Sequence, residues 1–457
     1  MRSTTAIIAK AMIADSFVAT PSTSPRLGIE AGRARSDRLP LLVLGGLVAS
    51  GLIVALTVAR TRQVLPSSIR ASTPSYLAGA FAHSGVDVGL SGLIVALGLM
   101  CVFYALAVRV ADRLPMWALL MAIAALYTLV LLAPPILSTD VFSYVAYSRL
   151  GALYHINPYL HGPDAISFDA LYPFVSPRWI TTPTVYGPLF TGLGYVLASF
   201  DLAAQVLVYK LVAAVSGLLV IVIVWRAAAL RGLNQAKAVT LVGLNPVTIL
   251  YGVGGGHNDL VMLAVLMGAV YLVLRQRDGA SGALIVVAAA VKLSGGLLLP
   301  FALANGRARG DGRRPSAAVL AGATVATVLI GLPSLVLFGP SVLHLLSTLQ
   351  GIQSHGGEHS IHGWILTALG LQRWIGPVGI VLDGLFVAAV ARLAIRVWRG
   401  GLDWITAAGW ATVWMLVTAG FLLPWYVAWL IPLAALSRDR RLLIASVALT
   451  AICLSTL

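Results

Sequence analysis

The chain has 457 residues, of which 59% are hydrophobic and 10% charged, and its mean hydropathy is +0.92. Its 31 Lys and Arg outnumber 16 Asp and Glu, a net charge of +15 that would suggest nucleic acid in a soluble protein; here the basic residues fall in short loops between apolar runs, so topology and anionic lipid account for them. This composition excludes a soluble enzyme, and with only Cys101 and Cys453, both in apolar runs, it supports neither a disulfide framework nor a Cys-based zinc site.

Residues 1–38, with Ser, Thr and Pro followed by Arg33, Arg35 and Arg38, hold no clean signal-peptide core and are expected to form a disordered cytoplasmic tail. From 39 to 457 a single membrane domain is expected. Apolar runs of about 20 residues, enough to cross a bilayer as helix, cover Pro40–Val58, Gly89–Val108, Met116–Leu137, Gln205–Trp225, Val239–Val253, Leu260–Leu274, Ala317–Phe338, Val378–Val397 and Trp404–Leu422, with a weaker pair closing the chain. Gly187–Phe200 is expected to lie along the outer face. Gly282–Leu303, interrupted at Lys292–Gly296 and Pro300, reads as a broken helical hairpin. The expected fold is thus an all-α polytopic membrane protein with about eleven to thirteen crossings and no sizeable soluble domain.

Six basic clusters set the orientation: Arg109 with Arg113, Arg226–Lys237, Arg275 with Arg277, Arg307–Arg314, Arg392–Arg399 and Arg438–Arg441 are expected to face the cytoplasm. Every histidine (His83, His155, His161, His257, His344, His355, His359 and His362) then falls at the outer side, as do Asp87, Asp140, Asp164, Asp169, Asp201, Asp259 and Glu358. A reactive surface is therefore expected away from the cytoplasm. No Walker loop, Rossmann-type glycine motif or Asp-x-Asp pair is present, so an activated donor would have to arrive on a lipid. The long outer segment 138–204 mixes Tyr, Trp, Pro, His and Asp, residues that hydrogen-bond hydroxyls and stack on sugar faces.

Asp140 stands where the run Met116–Leu137 meets water, a position at which a carboxylate binds substrate or moves a proton. Its bland alternative is an N-cap for the helix beginning at Val141. The chain also contains Ser138-Thr-Asp140-Val-Phe-Ser-Tyr144, His155-Ile-Asn-Pro-Tyr159, Thr184-Val-Tyr186-Gly-Pro188, Leu244-Asn245-Pro246 followed by Gly255-Gly256-His257-Asn258-Asp259, Ala290-Val291-Lys292 with Leu299-Pro300, and Leu423-Pro424-Trp425-Tyr426. In these motifs and their order the sequence resembles the polyprenol-phosphomannose-dependent α-(1→6)-mannosyltransferases of actinobacterial lipomannan synthesis, members of the GT-C class. The resemblance implies a GT-C membrane fold, a polyprenyl-phosphate-mannose donor, a lipid-anchored mannan acceptor, an inverting transfer, and an acid of the first large outer loop, here Asp140, as base.

Transfer also needs a cation for the departing phosphate. Lys210, inside a span, and Lys292, near the hairpin apex, are candidates, with Arg149, Arg178 and His155 as alternatives from the outer loop. The bland readings are snorkelling for Lys210 and a structural ion pair for Lys292. His257, Asn258 and Asp259 offer donors and acceptors to sugar hydroxyls or simply cap an interhelical turn. Tyr144 and Tyr186 are further substrate contacts, Tyr186 as a stacking platform at the turn before Pro188. Trp425 and Tyr426 are read first as aromatic-belt residues and second as donor-groove lining. His355-Gly-Gly-Glu358-His359 satisfies the H-x-x-E-H pattern, but its two glycines oppose the helix that zinc ligation needs, so no metal site is assigned, and divalent metal dependence stays open. The outer loop 339–362 is read as an acceptor contact. An arabinofuranosyl- or other hexosyltransferase remains a close alternative. A flippase would predict an inverted repeat, which the halves do not display.

Overall fold

The computed structural model describes residues 27–61, 80–81, 85–86, 88–308, 315–355 and 359–455. The tail over residues 1–26, His83, Asp87, and the Gly356–Glu358 portion of the H-x-x-E-H pattern lie outside the described residues. Residues 40–457 form one compact unit.

Seventeen α-helices, joined by short 3-10 turns and with no strand among the described residues, run in chain order. The first three are α1 (Leu27–Thr61), α2 (Gly89–Arg109) and α3 (Met116–Leu132). Helix α1 begins well before Pro40. Next come α4 (Asp140–Ala152), α5 (Pro188–Tyr195), α6 (Leu202–Leu230), α7 (Gln235–Gly243), α8 (Asp259–Leu274), α9 (Asp278–Val291) and α10 (Leu299–Ala308). The remainder are α11 (Pro315–Phe338), α12 (His344–His355), α13 (Ile361–Ala368), α14 (Ile375–Trp398), α15 (Trp404–Thr418), α16 (Ile431–Leu436) and α17 (Arg440–Ser455).

Five helical stretches are long and apolar enough to cross a bilayer: Arg38–Ala59, Gly89–Arg109, Leu202–Leu230, Pro315–Ser354 and Gln372–Trp398. Shorter apolar helices, among them α3, α8, α9 and α15, pack around them. Broken or short helices are admissible here because their free backbone groups face protein rather than hydrocarbon. The chain is an all-α polytopic membrane protein.

The expected span Val239–Val253 is bent by 57° between α7 and a π-helical turn, Thr248–Gly254. Pro246 has no N–H to continue α7, and the Asn245 side chain takes over, accepting from the Thr248 amide at 3.1 Å while donating to Thr450 of α17 at 3.0 Å. Such π-turns recur beside functional sites. This one delivers Gly256, at φ +68°, and then His257.

Chain order sorts the charges. Helix α3 starts just past Arg109 and Arg113 and ends near Asp140; the bent pair runs from Lys237 to His257; α8 returns from Asp259 to Arg275 and Arg277; α9 climbs back from Asp278 to Lys292; α15 runs from Asp403 to Thr418. One end of this bundle therefore carries Asp140, His257, Asp259 and Lys292. The other carries most of the arginines among the described residues.

Candidate active site

Asp140 is the first residue of α4, and its amide donates to Ser138 Oγ at 3.2 Å. The carboxylate faces a cavity of about 440 Å³, which also exposes Ser143, Tyr147, Tyr186, Lys292, Trp425 and Tyr426 on its walls. Asp140 Oδ2 lies 3.9 Å from His257 Nδ1, and the same nitrogen is 3.7 Å from Asp259 Oδ2. Asp259 is almost fully buried; it accepts from Lys292 Nζ at 2.8 and 2.9 Å and from Trp429 Nε1 at 2.6 Å. The Lys292 ammonium also sits 5.0 Å above the Tyr426 ring and 5.3 Å above that of Trp429. An ion pair and two aromatic faces thus hold one cation at the cavity wall, while the Trp429 indole N–H helps hold the carboxylate that pairs with it.

Neither Asp140 nor His257 lies in a spanning helix. Removal from water disfavours a carboxylate's charge and pushes Asp140 up to about 7, against the pull of Lys292; Asp259 adds to the rise, and Tyr186 opposes it. Burial likewise pushes His257 down to about 3, despite the nearby Asp259. The imidazole is therefore neutral, its contacts with the two carboxylates are not ion pairs, and its ring packs at 4.1 Å on Trp425.

The surrounding motifs build the cavity wall. Asn157 donates to the Phe338 carbonyl at 2.7 Å and accepts from the Tyr159 amide at 3.0 Å; the Tyr159 hydroxyl then donates to the Tyr186 carbonyl at 3.0 Å. The Thr184 amide donates to the Pro158 carbonyl at 2.8 Å. The Gly187 amide reaches the Val291 carbonyl at 3.0 Å, and a Cβ on Gly187 would stand 2.1 Å from the Ala290 carbonyl oxygen. Only glycine permits that backbone approach, which sets Tyr186 beside the end of α9.

The sequence candidates separate into three groups. Asp140, Tyr186, Lys292, Trp425 and Tyr426 line the cavity. His257, Asn258, Asp259 and Tyr144 lie behind it, with the Tyr144 hydroxyl 3.5 Å from His257 Nδ1 and donating to Asn258 Oδ1 at 3.4 Å. Arg149, His155 and Lys210 are not among the cavity residues. Arg149 pairs with Asp169 at 2.7 Å, a carboxylate that Tyr154 also engages at 2.7 Å. His155 is exposed at φ +54°. Lys210 does not snorkel: it is buried and donates to the carbonyls of Ala133 and Pro134, satisfying the C-terminal end of α3. The belt reading of Trp425 and Tyr426 is likewise corrected, since both rings turn inward onto the site.

Sequence reasoning missed Trp429, four residues beyond Trp425 in the same 3-10 segment and so legible as its neighbour. It also missed Gln353 and Asp383, brought to the cavity from α12 and α14, for which no local signal exists. Among the described residues no group of three or more His, Cys, Asp or Glu is placed to hold a metal ion.

A helical membrane protein with a carboxylate and an ammonium facing one aromatic cavity, and most of the described arginines at the far end, is the class that fold and site define. Residues 43–306 match the family described as alpha-(1->6)-mannopyranosyltransferase, N-terminal domain, and the chain belongs to that family. Among its relatives are alpha-(1->6)-mannopyranosyltransferase A of Mycobacterium tuberculosis, 30% identical over 70% of this chain and 66% of the relative, and alpha-(1->6)-mannopyranosyltransferase A of Corynebacterium glutamicum, 32% identical over 37% and 35%. Alpha-(1->6)-mannopyranosyltransferase B of Corynebacterium glutamicum is 26% identical over 67% of this chain and 56% of the relative. The chain thus spans less than two thirds, or just under it, of these relatives' length. No solved structure matches it.

Proposed function

We propose that the protein transfers mannose from polyprenyl-phosphate-mannose to a lipid-anchored mannan at the extracytoplasmic face of the plasma membrane, forming α-(1→6) linkages with inversion. The observation that carries this reading is that the Asp140 carboxylate and the Lys292 ammonium line the same cavity. Asp140 takes the proton from the acceptor's O6 hydroxyl as that oxygen bonds the anomeric carbon. The bond from that carbon to the phosphate breaks, and the phosphate leaves on its polyprenol with its negative charge beside the Lys292 ammonium. Positive charge developing at the anomeric carbon is stabilised by the Asp140 carboxylate. Inversion to an α product requires a β-linked donor.

The rest of the lining suits an amphiphilic donor. Leu293, Leu297, Ile352 and Phe386 offer an apolar surface to the first isoprene units, while Tyr186, Trp179 and Trp425 offer ring faces to the sugar. Ser143 Oγ, buried and without a hydrogen-bond partner among the described residues, is available to a sugar hydroxyl.

The test is transfer of labelled mannose from polyprenyl-phosphomannose to a short α-(1→6) mannoside by membranes containing the protein or its Asp140→Asn variant at equal levels. Activity in the first and none in the second supports both donor and base. Equal activity in both removes Asp140 as base, and silence with mannose, arabinose and glucose donors alike removes the transferase reading.

A further inference from the structure

A second cavity, of about 690 Å³, opens at the basic end of the bundle between the end of α2, the start of α7 and the start of α17. Its polar rim carries Arg109, Lys237, Arg438 and Arg440, with Asp439 as the one acid in the lining. That acid is already committed: it accepts from Trp410 Nε1 at 2.8 Å and from the Arg441 amide at 2.8 Å. Arg438 is partly engaged, donating to the Arg231 carbonyl at 2.7 Å. The opposite wall is apolar, built by Val108, Leu241, Leu443, Ile444 and Val447. Ile444 remains 55% exposed.

We propose that this cavity binds one anionic glycerophospholipid, its phosphodiester among the four cations and one acyl chain against the apolar wall. Two observations converge on a lipid rather than a soluble anion. The lining offers four basic side chains against a single carboxylate that is already engaged, which favours a phosphate group. The apolar wall begins at the end of the spanning helix α2, where a bilayer lipid would present headgroup and chain together. Basic pockets between spanning helices are suited to such headgroups. The inference is independent of the chemistry at Asp140, because the bundle separates the two cavities.

The experiment uses the full chain purified in detergent, with retained lipid counted by native mass spectrometry after addition of phosphatidylglycerol, phosphatidylcholine or inorganic phosphate. Arg109→Gln, Lys237→Gln and Arg440→Gln are made singly and together, and Arg275→Gln/Arg277→Gln serves as a control at the same end but outside the cavity. The wild type is expected to retain one phosphatidylglycerol in preference to phosphatidylcholine. Each single variant weakens retention about five-fold, and the triple variant abolishes it. The control keeps it. Equal loss in the control, which would indicate diffuse surface charge, overturns the proposal. So does equal retention of phosphatidylcholine, or displacement of the lipid by inorganic phosphate. If the triple variant fails to fold, the single variants decide: unchanged retention in all three overturns the proposal.

Discussion

The two ends of the bundle hold charge in opposite ways. Around Asp140 the charges are few and largely buried, each held by specific protein partners or facing the cavity: Asp259 is clamped by Lys292 and Trp429, Lys210 is capped by backbone carbonyls, and Asp140 opens onto the cavity. At the other end they are many and near water; Arg231 pairs with Asp403 at 3.0 Å while Arg109 and Arg440 stay exposed. A buried charge must be compensated in place, so each partner is fixed and each deletion is costly. A charge at the bilayer edge is solvated, so it sets orientation and attracts lipid while contributing little to stability.

The largest test of that contrast is Asp140→Asn. If the carboxylate is the base, mannosyl transfer should fall by about 10³-fold, within the usual range for losing a general base, with the melting temperature nearly unchanged. A large fall in melting temperature with proportionate loss of activity would instead give Asp140 a structural role.

Lys292→Met should come next, because it strands Asp259 with a buried, uncompensated charge. Destabilisation of about 3 kcal/mol is expected by thermal or denaturant unfolding, and the double variant Lys292→Met/Asp259→Asn should recover part of it. No recovery would mean that the two residues are not energetically coupled.

Gly187→Ala should cost about 1–3 kcal/mol, since the added methyl meets the Ala290 carbonyl and must push the 184–188 turn off α9. A rise in KM for the donor should accompany it as Tyr186 shifts.

The pH profile gives a smaller and more specific reading. A base must be deprotonated, and desolvation lifts the Asp140 carboxyl to about 7, so kcat/KM should rise with pH and level off above about 7. Tyr186 opposes that rise; Tyr186→Phe should therefore move the acid limb to higher pH. A limb near the ordinary carboxylate range would contradict the burial-driven shift.

The smallest effect belongs to the other end. Arg275→Gln should change stability by less than about 0.5 kcal/mol, as for an ordinary surface charge, and leave transfer unchanged. A larger loss would erase the distinction between the two ends.

Much of the site was legible because its residues cluster in short motifs beside apolar runs. Asp140 is marked by the end of a span, and Lys292 by a charge interrupting an apolar segment. Gly255-Gly256-His257-Asn258-Asp259 is marked by a polar turn between spans. What the sequence left open was which partner each buried charge meets. Lys210 and Lys292 are both lysines within apolar sequence, yet one secures the exposed carbonyls at the end of α3 and the other secures Asp259. Nothing local separates them, because the partners lie 77 and 33 residues away.

Composition and periodicity determined that the chain is helical and membrane-spanning, and the basic clusters marked one end of its helices, since hydropathy and loop charge are properties of local sequence. Only the tertiary structure decided which buried charges meet, that Trp425 and Tyr426 face a cavity, and that Gln353 and Asp383 join it from distant helices. Those outcomes depend on how helices pack across long stretches of chain, and the free energy of pairing a buried charge is available only once both partners have been brought to the same place.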